Sequence, residues 1–143
     1  MERRQKQRNT FHQAKEPVVN VTLTFYLAQL VGVNFAQADL RDTNFVQANL
    51  FNAHFVQADL SEANFLGADL LNTDLFRANL SGASFENVEN LTQYQLDEAW
   101  AYRDCPPIQL PEGLVMNRLM PRDPEEFASM EALERLDDED AAE

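Results

Sequence analysis

The sequence repeats a pattern every five residues. Between Val33 and Phe85, each fifth position holds a large apolar residue: Phe35, Leu40, Phe45, Leu50, Phe55, Leu60, Phe65, Leu70, Leu75, Leu80 and Phe85. Two positions before each of them stands a small or β-branched residue, most often Ala. This period constrains the possible folds more than any other feature of the chain.

A period of five fits neither of the regular secondary structures. An α-helix repeats every ~3.6 residues, so steps of five would spread the apolar residues around its whole surface. A flat strand alternates its faces, so steps of five would send successive members to opposite sides. Both problems disappear if the backbone turns a corner once per repeat and winds into a solenoid around an apolar axis. Because one repeat cannot bury its apolar residue alone, stacked neighbours must build the core together.

The repeats resemble those of a known family. The segments Ala38-Asp39-Leu40-Arg41-Asp42, Ala48-Asn49-Leu50-Phe51-Asn52 and Ala58-Asp59-Leu60-Ser61-Glu62 are similar to the A(D/N)LXX consensus of the pentapeptide-repeat proteins. The resemblance covers residues 33–87, and the same register extends back to Leu23. It implies a mainly β fold, a right-handed four-sided parallel β-helix with four repeats in each of about three coils. It says little about activity, because proteins that share a fold serve different roles.

Four repeats per coil would make residues twenty apart vertical neighbours. The central residues then sort into four inner walls, in which Phe and Leu alternate around the coil. The predicted walls hold Leu30, Leu50 and Leu70; Leu40, Leu60 and Leu80; Phe45, Phe65 and Phe85; and Phe35, Phe55 and Leu75. We expect aromatic rings in register to stack on one another. The Ala positions are small because the interior between these walls is narrow.

The five-residue pattern stops after Asn90, and the remaining sequence predicts a different organisation. Thr92 and Gln95 form a capping-box pair, which marks the start of a helix. Leu96, Ala99 and Trp100 would share one face of this helix and close the last coil. We predict a flexible basic arm at 1–17, the β-helix at 18–90, a capping helix at 91–104, an extended strap with a short helix at 105–136 and a disordered acidic tail at 137–143.

The segment after the capping helix contains signals that stop and restart helices. Pro106 and Pro107 prevent the capping helix from continuing. The next helix is expected to begin with Asp123 as its N-cap and Pro124 as its first residue. Residues between these two signals should run as an extended strap along the outside of the coils.

The sequence offers no recognisable catalytic, cofactor or metal site. The single Cys105 cannot form an internal disulfide, which suits a reducing cytoplasm, where we expect the protein to reside. His54 takes an outward position that usually holds Asn or Asp, which favours a surface role. No cluster of ligands has metal-binding spacing, no phosphate loop occurs, and polar residues interrupt the apolar stretch 18–36, so no membrane segment is expected. We therefore predict that the protein is not an enzyme.

The residues that follow the central positions are expected to point outward, and they divide the surface into two regions. Three walls carry mainly apolar residues, and the candidate partner or dimer surface consists of Val46, Phe51, Val56, Leu66, Leu71 and Phe76. The fourth wall is polar, and its candidate acidic residues are Asp39, Asp42, Asp59 and Glu62. Exposed apolar patches of this kind usually mark interfaces. The chain's own tail, a second copy or a foreign protein could each cover the apolar walls.

The charge of the chain argues against direct nucleic-acid binding. The net charge is −13, and residues 21–90 contribute −6 of it while residues 1–20 contribute +3. An acidic rod repels phosphates. We predict a protein-binding or scaffolding module that associates with another protein or with itself. The alternative is a DNA mimic that binds a topoisomerase such as DNA gyrase. The quinolone-resistance branch of the family that these repeats resemble acts in this way.

Overall fold

The computed structural model describes residues 22–141, and the backbone winds into stacked coils. Parallel bridges join residues twenty apart, from Thr24 with Asn44 to Asp69 with Glu89. Asn64, for example, donates its N–H to the coil below, and its carbonyl accepts from Phe45 at 2.8 Å. The fold is therefore of the β-helix type, as the resemblance of the repeats implied.

Every repeat contains a tight turn. The N–H of the small residue donates to the carbonyl of the preceding central residue, as from Ala58 to Phe55 at 2.9 Å. The residue just before each small residue has a positive φ, between 51° and 69°, at every fifth position from Leu27 to Asn87. This conformation costs roughly 1–2 kcal/mol for a residue with a side chain. The ladder of backbone hydrogen bonds between coils therefore stabilises a corner conformation that the local sequence alone would not favour.

The residue before each central position stabilises the corner with a hydrogen bond between its side chain and the backbone. Its oxygen accepts from the N–H two residues later, as Asn44 Oδ1 does from Val46 at 2.9 Å. The residues that make this bond are Asn34, Asp39, Asn44, Asn49, Asp59, Asn64, Asp69, Asp74 and Asn79. This Asx-type bond explains the preference for Asp or Asn at this position.

Two columns of phenylalanine rings fill the interior. Phe65 stacks on Phe45 at 5.1 Å between ring centroids, and Phe85 stacks on Phe65 at 5.2 Å. In the second column, Phe55 stacks on Phe35 at 5.2 Å. The two columns meet edge to face, with 5.6 Å between Phe45 and Phe55. Ring pairs in these geometries add ~0.5–1.5 kcal/mol each beyond the burial of their area. These contacts confirm the predicted stacking of rings in register.

Leucine and alanine side chains complete the core between the rings. Leu50, Leu60 and Leu70 are fully buried, and the neighbouring Ala58 is 1% exposed. Burying a side chain such as Leu contributes roughly 1.5–3 kcal/mol. The core is therefore a filled column of side chains that each coil extends.

Helix α1, Gln93–Glu98, packs against the last coil. Thr92 and Gln95 make the predicted capping box, with each side chain accepting from the other's backbone N–H. The Gln95 amide also donates to the carbonyls of Leu70 at 2.8 Å and Thr73 at 2.9 Å. Leu96 is fully buried in the core cluster. The helix thus covers apolar side chains of the last coil and donates hydrogen bonds to its backbone carbonyls.

The prediction of a helix over 91–104 was wrong in its extent. Ala99 is already extended, with φ −94° and ψ 176°. Trp100 bridges Asn79 instead of sharing a helical face with Leu96, and its N–H donates to the carbonyl of Ala78 at 3.0 Å. The last coil presents backbone groups that need partners, and pairing them with Trp100 replaces another turn of helix.

The prediction of an outside strap over 105–136 also needs correction. Ile108 bridges Ser84, so the chain returns to the ladder after α1. Strand β1, Ala101–Tyr102, then pairs in parallel with β2, Leu119–Met120. Ile108 and strand β2 therefore continue the stack of coils beyond the last repeat.

Helix α2, Pro124–Ala141, begins where the sequence predicted but is longer than the short helix expected there. Asp123 caps it, accepting from the N–H of Glu125 at 2.9 Å. Residues 137–141, predicted as disordered tail, belong to this helix. No Gly or Pro follows Pro124 within it to end the helix earlier.

Residues 1–21 and 142–143 lie outside the described part of the chain. The basic arm predicted at 1–17 and the start of the β-helix at 18 therefore remain predictions. Within residues 22–141, neither helix is long and apolar enough to cross a bilayer.

Candidate functional site

The six predicted partner-surface residues, here called the outer belt, line up in vertical columns. Their backbone carbonyls accept hydrogen bonds from N–H groups of the preceding coil. This ladder of hydrogen bonds sets the spacing of the side chains in each column. Gln47 donates to Leu66 at 2.8 Å, Asn52 to Leu71 at 3.1 Å and Gln57 to Phe76 at 2.9 Å. The columns of the outer belt are Val46 with Leu66, Phe51 with Leu71, and Val56 with Phe76.

The exposure of the outer belt increases toward the C-terminal end of the coils. Leu71 and Phe76 are each 41% exposed. Val46, Phe51, Val56 and Leu66 are half-buried. Arg77 places its guanidinium carbon 5.2 Å from the centroid of the Phe76 ring, a cation–π contact at the edge of the belt. The last two members therefore offer the most apolar area to another molecule.

A cleft lies where the outer belt meets helix α1. It has a volume of about 500 Å³, and Leu71, Phe76 and Tyr94 supply its apolar lining. Tyr94 is 74% exposed. Thr92 and Glu98 add polar groups at the same cleft. The sequence analysis missed Tyr94, because the sequence does not indicate where α1 lies on the last coil.

The tail leaves the exposed end of the outer belt open. Gln93 donates to the carbonyl of Val115 at 2.9 Å, Asn117 donates to Asp97 at 2.9 Å, and Ser84 donates to Gln109 at 2.8 Å. These bonds hold the described part of the tail on α1 and the last coil. Coverage of Leu71 and Phe76 by residues 105–141 is thus incomplete.

The four residues of the predicted acidic wall have different surroundings. Asp39 forms an ion pair with Arg41 at 2.7 Å, and this hydrogen-bonded guanidinium lowers the pKa of Asp39. Asp59 accepts from the Ser61 N–H at 3.1 Å and from its hydroxyl. Asp42 and Glu62 both occupy corner positions with positive φ. Two of the four carboxylates therefore serve local structure, which weakens this wall as an imitation of DNA phosphates.

The surroundings of Cys105 do not activate its thiol, and His54 lies on the surface of the coils. The Cys105 thiol lies 3.6 Å from Glu62 Oε1, and burial followed by this hydrogen bond raises the pKa of Cys105. A thiol kept protonated is a poor nucleophile. His54 Nδ1 lies 4.0 Å from Asp74 Oδ2 on the surface of the coils. Within residues 22–141, no group of His, Cys, Asp and Glu side chains could hold a metal ion.

Comparison with protein families matches the coils to one family. The family model for pentapeptide repeats matches residues 28–65 and 53–89, with eight copies of the repeat. The matched residues are those whose backbone forms the ladder between coils. No curated protein matches the sequence.

Three solved structures of pentapeptide-repeat proteins resemble the chain. One, from the thylakoid lumen of Arabidopsis thaliana, is 21% identical with a TM-score of 0.38, and the match covers 71% of this chain and 66% of that one. Another, from the cyanobacterium Cyanothece, is 27% identical with a TM-score of 0.34 and coverage of 62% and 60%. A third, from Nostoc, is 24% identical with a TM-score of 0.23 and coverage of 63% and 78%. The chain spans less than two thirds of the length of the first two.

Proposed function

Because residues 28–89 belong to the pentapeptide-repeat family, we propose that the protein is a non-enzymatic binding or scaffolding module. Its coils would present the outer belt to another protein or to a second copy of the chain. The ladder that fixes the columns makes this surface rigid, so binding would require little ordering of the backbone.

The observation that carries this proposal is the row of exposed apolar side chains at the cleft. Leu71, Phe76 and Tyr94 lie at the junction of the coils and α1 and remain accessible. Aromatic residues in a central, concave position are the typical anchors of protein interfaces. A partner segment with an apolar side chain could enter the cleft, while the Glu98 carboxylate accepts from its polar groups.

We propose a finer architecture for this module as well. Bridges twenty residues apart and corners every five residues support four-sided coils of four repeats. The bonds from Gln95 to two carbonyls of the last coil support a capping role for α1. In this arrangement, the cap forms one wall of the partner site and protects the coil edge from pairing with another chain.

The proposal is tested by placing charges at the two most exposed belt positions. The full chain with Leu71→Asp and Phe76→Asp should keep its circular-dichroism spectrum, because both side chains lie outside the core. It should lose any self-association that light scattering detects for the wild type. A photo-crosslinking residue at position 76, introduced in the native cell, should join the protein to its partner or to a second copy.

The matched control carries the same charge at an exposed apolar position away from the cleft. Leu133, on α2, is 62% exposed, and Leu133→Asp should leave both the mass and the crosslinked products unchanged. A wild-type protein that stays monomeric at all concentrations and yields no product from position 76 would contradict the proposal.

A further inference from the structure

Helix α1 interrupts the ladder of backbone hydrogen bonds at the last coil. Leu70 donates its N–H to the carbonyl of Glu89 at 2.9 Å, and Arg77 donates to that of Glu98 at 2.7 Å. Between these two bonds, the chain forms α1 where the period of the coils would place another corner. Residues 71–76 of the last coil therefore face a helix rather than a further repeat.

Two N–H groups in this interval have no partner among the described residues. Twenty residues earlier, Asn52 donates its N–H to the next coil at 3.1 Å, and Phe55 does so at 2.8 Å. The corresponding N–H groups of Asn72 and Leu75 donate to no residue within 22–141. Leu75 is only 2% exposed, and the N–H groups of buried residues are nearly always paired in folded proteins. These two donors therefore favour a ligand that supplies acceptors.

The neighbouring carbonyls are already paired. The Gln95 amide donates to the carbonyls of Leu70 at 2.8 Å and Thr73 at 2.9 Å. The Leu71 carbonyl accepts from Asn52 at 3.1 Å. Because these acceptors have partners and the two donors do not, a ligand forms hydrogen bonds here through oxygen atoms. The backbone carbonyls of a peptide are acceptors of this kind.

The cleft beside α1 places both donor residues next to an apolar surface. Asn72 and Leu75 line its volume of about 500 Å³ together with Leu71, Phe76 and Tyr94. A peptide can therefore set an apolar side chain against this lining while its backbone meets the two N–H groups. Main-chain hydrogen bonds combined with contacts for side chains are the basis of strand-like peptide recognition.

The charged residues of the cleft are acidic. Among the described residues that line it, only Asp74 and Glu98 carry a charge. Asp74 accepts from the N–H of Phe76 at 3.0 Å, whereas the Glu98 carboxylate has no hydrogen-bond or ion-pair partner in the described part of the chain. Arg77 contacts the Phe76 ring but does not line the cleft. This charge favours a segment with Lys or Arg and disfavours a second copy of the chain, whose net charge is −13.

We propose that the cleft binds a basic peptide segment of another protein, whose backbone carbonyls accept from the N–H groups of Asn72 and Leu75. An apolar side chain of this segment contacts the apolar lining, and a neighbouring Lys or Arg side chain pairs with Glu98. This inference rests on the proposed function and specifies how the binding module recognises its partner.

Titration of the full chain with two synthetic peptides tests the proposal. The end-capped peptide Lys-Leu-Lys-Leu-Lys supplies carbonyls, apolar side chains and positive charge, and Glu-Leu-Glu-Leu-Glu is its matched control. At a concentration of the basic peptide roughly tenfold above its Kd, amide hydrogen exchange of Asn72 and Leu75 should slow roughly tenfold. The amides of Asn52 and Phe55 should be unaffected, and the acidic peptide should not bind.

A pair of substitutions that each remove one charge locates the bound Lys side chain. Glu98→Gln should weaken binding of the basic peptide roughly threefold, the size expected for a partly exposed ion pair. Glu86 is exposed and does not line the cleft, so Glu86→Gln should leave the Kd unchanged.

Four results would overturn the proposal. The basic peptide could fail to bind, or it could bind and leave the exchange of Asn72 and Leu75 unchanged. Equal affinities for the two peptides, or equal losses in Glu98→Gln and Glu86→Gln, would show that the acidic lining does not select the ligand. If any of these results accompanied a crosslinked foreign partner from position 76, the binding module would stand and only this mode of recognition would fail. A doubled mass with both amides protected in the absence of peptide would identify a second copy as the occupant and would also refute the proposal.

Discussion

The coils and the C-terminal segment both bury apolar side chains and pair backbone groups, but they do so by different means. In the coils, each repeat brings its own core residue, corner and Asx-type bond, so one short pattern is used again and again. After Asn90, the chain satisfies the last coil through single contacts such as those of Gln95, Trp100 and Ile108. Repetition thus distributes stability along the coils, whereas the C-terminal segment concentrates it in a few residues.

The largest expected effect tests how narrow the repeated interior is. Ala58 is 1% exposed among the core side chains, so Ala58→Phe should overpack the interior and unfold the coils. Overpacking a filled core typically costs about 1–3 kcal/mol, and a whole ring exceeds the single methylenes behind that range. Thermal melting followed by circular dichroism measures the loss.

The control for this change puts the same ring on the outside. Ala36 is exposed, and Ala36→Phe should leave the melting temperature close to that of the wild type. Equal melting temperatures for both variants would contradict a filled, narrow interior.

The second prediction separates the C-terminal segment from the coils. Gln95→Met keeps the volume of the side chain but removes the donor to the carbonyls of Leu70 and Thr73. The Leu70 carbonyl still accepts from the Thr73 N–H at 3.1 Å, but the Thr73 carbonyl would lose its bond from Gln95. One buried acceptor without a partner should cost roughly 1–3 kcal/mol. Hydrogen exchange should show this loss first in α1 and the last coil, with the amides of the second coil still protected.

Tyr94→Phe is the matched control for the change at Gln95, because Tyr94 is the adjacent residue and is largely exposed. It should leave exchange in α1 unchanged. Uniform loss of protection through all the coils in Gln95→Met would mean that the two regions unfold as one unit.

The smallest expected effect concerns the contact between the two regions at Cys105. Burial and then the Glu62 carboxylate raise the pKa of this thiol. Since the folded pKa is raised, the protonated thiol and its bond to Glu62 persist at low pH and are lost as pH rises through the folded pKa. Glu62→Gln should lower the pKa and speed alkylation of Cys105 at a fixed, mildly alkaline pH.

The pH profile of Cys105 alkylation provides the measurement. Glu112 is exposed and is not among the groups that shift this thiol, so Glu112→Gln should keep the wild-type profile. Identical profiles for the wild type and Glu62→Gln would show that the carboxylate does not act on the thiol.

The sequence predicted the coils because their signals are local and repeated. The period of Phe and Leu defined the core, and the resemblance of the repeats to A(D/N)LXX implied the coiled backbone. The positive φ at residues such as Gln37, Gln57 and Arg77 had no comparable signal, because these residue types do not favour it. The ladder imposes this conformation once the neighbouring coils are in place.

The C-terminal segment could be predicted only in part. The Thr92–Gln95 capping box and the start of α2 at Asp123 are local features. The pairing of Trp100 with Asn79, and of Ile108 with Ser84, depends on residues 21 and 24 positions away and leaves no periodic trace. For the candidate site, the belt positions follow from the repeat, but the cleft required knowing where α1 lies, and so Tyr94 was missed.

The twenty-residue spacing of the bridges sets a rule for how the length of the coils can change. Adding or removing four whole repeats would lengthen or shorten the stack and leave every outer column in line. Adding a single repeat between Phe76 and α1 would break this twenty-residue spacing and shift α1 away from Leu71 and Phe76. Insertions and deletions in the coils should therefore be tolerated best in multiples of twenty residues, and five residues inserted between Phe76 and α1 should separate Tyr94 from Leu71 and Phe76.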